Sequence, residues 1–115
     1  MSFTIQGGAL LPAEKKLTTT TPTVIVDGKQ AGATVIGIYA TEIAGATPAL
    51  TLEKYDTESG ISYYLRFAAP MTAKQEYTRD VILVLKANQQ LRATASAANQ
   101  IDVLVTYIPG DRTAM

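Results

Sequence analysis

From Thr23 onward the chain alternates short runs of β-branched and aromatic residues with turn-forming pairs, a rhythm that leaves little room for helices. β-Branched and aromatic side chains suit the pleated surface of a sheet, while Gly and Asn adopt the backbone angles of tight turns. Asp27-Gly28 and Ala31-Gly32 punctuate the first pair of runs, Gly45 with Pro48 the next, and then Ser59-Gly60, Ala87-Asn88 and Ala98-Asn99. This spacing predicts eight strands, near 22–27, 33–43, 48–56, 61–69, 75–79, 81–86, 90–97 and 100–108, in an antiparallel sandwich or barrel.

The alternation also assigns faces. In Ile61-Ser62-Tyr63-Tyr64-Leu65-Arg66-Phe67 the residues Ile61, Tyr63, Leu65 and Phe67 share one face, expected to point inward, and Ser62, Tyr64 and Arg66 the other. Ile101, Val103, Val105 and Tyr107 likewise share a face, but Leu104 and Ile108 lie opposite, and Val81, Ile82 and Val84 are apolar without alternation. Those two strands are expected to be covered on both sides. Residues 86–100 are rich in Ala and could form a helix by propensity. Leu91, Ala93, Ala95 and Ala97 alternate with Arg92, Thr94 and Ser96, however, which favours a strand.

The first residues read differently. Gly7-Gly8, Pro12 and the run Thr18-Thr19-Thr20-Thr21-Pro22 interrupt any helical period, so residues 1–21 are read as an extended N-terminal arm and 22–115 as one sandwich domain. A short helical turn around 13–17, after Pro12, is the local alternative. Phe3, Ile5, Leu10, Leu11 and Leu17 are more apolar than a free tail requires. The arm is therefore either a disordered tail or a strap on a neighbouring subunit, with Thr18 to Thr21 added along an open sheet edge.

Composition then bounds the chemistry. A length of 115 residues is that of a single domain. Ten Lys and Arg balance ten Asp and Glu, so the basic excess that nucleic acids attract is missing. Charged residues make up 17% of the chain where about 25% is usual, and 47% is hydrophobic, which suggests surface buried against another chain. With no His and no Cys, thiol nucleophiles, Ser-His-Asp triads, imidazole or thiolate metal sites and disulfides are all excluded. Only carboxylates remain as general bases, and no enzyme activity and no cofactor are expected. Asp56 and Glu58 beside Ser59-Gly60 could form a calcium loop, but the twelve-residue ligand pattern is missing and solvated turn residues are the default. The glycines are too scattered for a phosphate cradle. The N-terminus has no basic region followed by an apolar one, and Val81 to Leu85 is far short of the roughly 20 residues that span a bilayer, so neither a signal peptide nor a membrane partner is expected. Tyr39, Tyr63, Phe67 and Tyr107 fall at sheet-facing positions, whereas Tyr55 and Tyr64 are the exposed aromatics, of a kind enriched at protein interfaces.

The order of segments carries a resemblance. The turn Ala31-Gly32-Ala33-Thr34, the run Val35-Ile36-Gly37-Ile38-Tyr39-Ala40, Ala49-Leu50-Thr51-Leu52-Glu53-Lys54-Tyr55, and the Ala/Ser-rich strand, Asn turn and Val-rich strand between Val84 and Tyr107 resemble small all-β proteins encoded among the structural genes of tailed bacteriophages. Asn88-Gln89 stands where Gly-Asp is common in that group. The resemblance implies an all-β antiparallel sandwich of jelly-roll-like topology in the virion, with no catalytic residues. The role it implies is a capsid decoration or cement protein held to the major capsid protein or other virion proteins. The alternative is a tail or baseplate adaptor that contacts tail proteins or a host glycan through Tyr55 and Tyr64. A homo-oligomer follows from small size and low charge, and the preference for a trimer leans on the resemblance. The interface residues so indicated are Phe3, Ile5, Leu10, Leu11, Tyr55 and Tyr64.

Overall fold

The structure, a computed structural model, describes residues 10–80 and 82–110. Among these residues nine strands form: β1 (Leu11–Lys16), β2 (Thr23–Asp27), β3 (Ala33–Glu42), β4 (Ala49–Asp56), β5 (Ser62–Pro70), β6 (Glu76–Arg79), β7 (Leu83–Leu85), β8 (Gln89–Ala95) and β9 (Ile101–Pro109). One sheet has the order β1-β9-β3-β6, with β7 also on β3, and the other the order β2-β8-β4-β5. Every pairing is antiparallel.

The wiring is a nested hairpin rolled on itself. β4 pairs with β5, β3 with β6 and β7, β2 with β8 and β1 with β9, so each pair encloses the one before it in sequence. Rolling brings β9 beside β3 and β8 beside β4, which splits the ribbon into two facing sheets. This is jelly-roll topology in an all-β sandwich, as the sequence predicts. β6 and β7 contact successive stretches of β3, at Ile38–Thr41 and Ala33–Val35, and act as one interrupted strand.

Residues 11–16, which the sequence reading places in the arm, form β1 along β9 of the same chain. They are extended, with no turn of helix at 13–17, and Leu17 is fully buried. Thr18 to Thr21 join β1 to β2, with the Thr19 and Thr21 hydroxyls 2.9 Å apart. Ala-rich β8 is a strand: Gln89, Leu91, Ala93 and Ala95 face inward between half-buried Gln90, Arg92 and Thr94.

The core alternates large against small. Leu50 pairs with Ala95 and Leu52 with Ala93 across the β4–β8 ladder, and all four are buried. Val35, Ile38, Ala40, Val103, Val105 and Ile101 answer from the other sheet, and Met71 and Leu85 close the ends. A small residue opposite a large one lets facing layers interdigitate at crystal-like density. The turn before β3 depends on Gly32, whose φ is +76° and where a Cβ would lie 2.6 Å from the Leu85 carbonyl oxygen.

β5 departs from its sequence pattern. Leu65 is half-buried, but Ile61, Tyr63 and Phe67, expected inward, are exposed. Two causes act together. β5 ends its sheet, and its register against β4 shifts both between Leu50 and Leu52 and between Leu52 and Glu53, so inward and outward positions change twice. Ala68 there takes a φ of 45° and donates its N–H to the Thr51 hydroxyl at 2.9 Å. Among the described residues nothing covers the outward faces of β7 and β9 at Ile82, Val84 and Leu104, which are exposed. Val81 lies outside the described residues.

Two substitutions separate these environments. Leu52→Ala removes a fully buried side chain and should lower unfolding free energy by about 2–5 kcal/mol. Phe67→Ala, at an exposed site, should change it by less than about 0.5 kcal/mol. Urea titration followed by circular dichroism measures both, and comparable losses would put Phe67 in the core.

Candidate interaction surface

Glu42, Asp56 and Asp27 are engaged in holding loops. Glu42, at the end of β3 and only 1% exposed, accepts N–H hydrogen bonds from Ala44, Gly45, Ala46 and Lys74 at 2.8–3.1 Å. Burial pushes its carboxyl up, but the four amides favour the anion more strongly and hold the group below the ordinary glutamate value. Asp56 closes the β4–β5 hairpin by accepting from the Glu58 and Ser59 amides at 2.9 and 3.1 Å, and those two bonds lower its pKa. Asp27 accepts from the Lys29 amide and the Gln90 side chain, and Asp102 pairs with Lys16 at 2.7 Å. Among the described residues no three His, Cys, Asp or Glu side chains group as metal ligands. No helix among them is long and apolar enough to cross a membrane.

A depression of about 790 Å³ lies at the pole of the sandwich formed by residues 27–33, Thr57, Asn88 and Pro109. Its polar groups bond to one another, as when the Thr57 hydroxyl donates to the Asn88 carbonyl at 2.9 Å.

What stands out is apolar. At the edge where β5 faces β6 and β7, the two sheets are laced by cations. The Arg66 guanidinium sits 4.8 Å from the Tyr77 ring centroid and donates to the Ala69 and Pro70 carbonyls, both at 3.0 Å. Arg79 donates to the Leu65 carbonyl and the Tyr77 hydroxyl at 3.4 and 3.3 Å. Lys54 reaches the Val84 carbonyl at 3.4 Å and lies 5.9 Å from the Tyr63 ring centroid. Outside this seam Tyr63, Tyr64, Phe67, Ile82 and Val84 are all at least half exposed. Tyr64 and Phe67 meet edge to face at 4.7 Å, and a depression of about 390 Å³ between Tyr63, Tyr64, Leu65 and Leu83 joins β5 to β7. Leu83 packs against the core and Leu85 is buried, so Val84 between them points outward from the first sheet.

The residues singled out from sequence do not converge. Tyr64 is on the flank. Tyr55 is half-buried, with the Arg92 guanidinium stacked 3.7 Å from its ring centroid, so that face is already occupied. Leu10 and Leu11 are exposed, but at the opposite edge of the sandwich, at the start of β1. Phe3 and Ile5 lie outside the described residues. The sequence reading missed Tyr63, Phe67, Ile82 and Val84 as surface residues. The local signal at β5 was Pro70, which fits an edge strand better than a central one.

No protein-family model matches the chain, and no curated protein matches it. Solved structures do. The chain is similar to a pentameric capsid protein isolated from metagenomic phage sequences, with a TM-score of 0.56 and 15% identity over 97% of this chain and 67% of that one. A second crystal structure described in the same words, solved by iodide phasing, gives 0.55 and 17% over 97% and 68%. The globular domain of zebrafish complement 1qA gives 0.54 and 10% over 90% and 97%. At these identities the likeness is one of fold.

The Glu42 anchor makes a pH prediction. Because folding lowers this carboxyl's pKa, its stabilisation is present above the ordinary glutamate value and is lost as pH falls through the lowered one. Thermal melts between pH 7 and pH 3 should therefore show a stability loss that Glu42→Gln reduces, and this variant should melt several degrees lower at pH 7. An unchanged pH profile in the variant would assign the acid sensitivity elsewhere.

Proposed function

We propose that this chain is a non-enzymatic structural subunit of a tailed-phage particle, carried on the head as a decoration or cement protein that stabilises the shell through subunit contacts. The observation that carries the reading is the set of exposed apolar side chains Tyr63, Tyr64 and Phe67 on β5, with Ile82 and Val84 at β7, which contact with another chain would remove from water. Its sandwich shares a fold with a pentameric phage capsid protein, which supports the same direction. The partners in this reading are the major capsid protein and further copies of the chain. Three copies is the number the sequence resemblance favours and five the number in the capsid relative's name. Contact with a host glycan through Tyr55 is disfavoured by the Arg92 guanidinium stacked on that ring.

Copy number tests the assignment. Purified virions separated on a quantitatively stained gel, or measured by mass spectrometry with labelled standards, should contain this chain in hundreds of copies, in fixed ratio to the shell protein. A handful of copies per particle would assign it to the tail, and its absence from virions would overturn the structural reading.

A further inference from the structure

We propose that the depression between β5 and β7 seats a carboxylate side chain from an acidic segment of a partner chain, with the Lys54 and Lys86 ammonium groups as its counter-ions. The inference rests on the structural reading above and names the contact that a partner makes at this edge.

Lys54 and Lys86 line the depression of about 390 Å³ together with Tyr63, Tyr64, Leu65 and Leu83, and no carboxylate does. The two lysines arrive by different routes. Lys54 lies across the β4–β8 ladder from buried Leu91, on the row that carries Leu50 and Leu52 into the core. A charge on that row leaves the interior at the seam between the sheets, where the Lys54 ammonium meets the Val84 carbonyl at a long 3.4 Å. An ammonium has three donors, and among the described residues no carboxylate pairs with this one. Lys86 follows buried Leu85 at the end of β7, and its ammonium has no acceptor among the described residues.

The nearby acids are turned elsewhere. Glu53 stands across from Arg92 on the opposite row of β4. Asp56, on the Lys54 row, is bonded to the Glu58 and Ser59 amides and to the Gln89 side chain. Two like charges therefore share one concavity in a chain whose net charge is zero, and an incoming anion meets a complementary potential already in place.

The surroundings select the anion. Half-exposed Tyr63 and Tyr64 with Leu65 and Leu83 give the site apolar walls, which suit a carboxylate flanked by apolar side chains. Nucleic acid fits less well. Its phosphates repeat about every 3.4 Å along a strand and need a track of cations, whereas Arg66 and Arg79, further along this edge, already donate to carbonyls. A single carboxylate asks for no more than two lysines supply.

Synthetic probes test the site. A fluorescein-labelled octapeptide alternating glutamate with leucine should bind saturably in fluorescence anisotropy, more weakly as sodium chloride is raised, and should shift the amide NMR signals of residues 54, 63, 64, 83 and 86. Lys86→Met and Lys54→Met should each weaken binding about tenfold, the loss of one charge-assisted hydrogen bond. Lys54→Arg should keep most of the affinity, and Lys15→Met, exposed on β1 at the opposite edge, should change nothing. Circular dichroism checks the folding of each variant, and exposed Lys86 decides the matter should Lys54→Met misfold.

A peptide with lysine in place of glutamate that binds as tightly would overturn the role of the two ammonium groups. An oligothymidylate that binds more tightly than the glutamate peptide would put nucleic acid in the peptide's place, and an absence of binding, or shifts confined to other residues, would overturn the site. The virion copy number is read separately. If it holds while the peptide fails, the structural reading stands without this contact; if it fails while the peptide binds, the site stands with a partner outside the virion.

Discussion

β9 is the strand on which the first sheet depends. It is hydrogen-bonded to β1 on one side and to β3 on the other, and its inward residues Ile101, Val103 and Val105 are all buried. Without it β1 has no neighbour in its sheet, and β3 keeps only the short β6 and β7. The pairing joins Leu11 to Tyr107 and Ala33 to Pro109, so the chain closes long loops before this sheet rewards it. Folding should be slow for a domain of this size, as for other sandwiches dominated by distant contacts.

The turns were the most legible part of the sequence. Gly32, Gly45 and Gly60 adopt φ values of 73–76°, and Asn88 and Asn99 adopt 68° and 64°, at the breaks where composition placed turns. The period-two pattern of β8 was equally readable, because Leu91, Ala93 and Ala95 lie in a strand with a neighbour on each side and a regular ladder to β4. β5 was not readable, although its alternation was cleaner. A local pattern records which residues could share a face, but a bulge is set by the partner strand, and the β4–β5 register slips twice in a few residues. An edge strand also lacks the second neighbour that would oblige its apolar side to turn inward.

The electrostatic features were legible in type but not in place. Asp56-Thr57-Glu58-Ser59-Gly60 reads as a turn from its residues alone, and the carboxylate duly caps it. Glu42 gives no comparable local signal, because one of its four donors is the Lys74 amide, 32 residues away. The same holds at the flank. Arg66 and Arg79 are ordinary charges in sequence, and only the fold lays one over Tyr77 and the other against the Leu65 carbonyl, fastening two sheets that share no backbone bond there.

The antiparallel pairing of β1 with β9 gives the molecule a polarity. Leu11 lies opposite Tyr107, and Gly110 donates to the Gly32 carbonyl at 2.9 Å, so the chain enters and leaves the sandwich at the same pole. The other pole carries the Thr18–Thr21 connection, the Glu42-anchored loop and the turn at 96–100. A peptide joined directly to Leu10 or to Gly110 would therefore emerge at that pole, leaving the opposite pole unobstructed. A circular permutant joined across the ends and opened within the threonine run would move that display site to the far side without disturbing a strand.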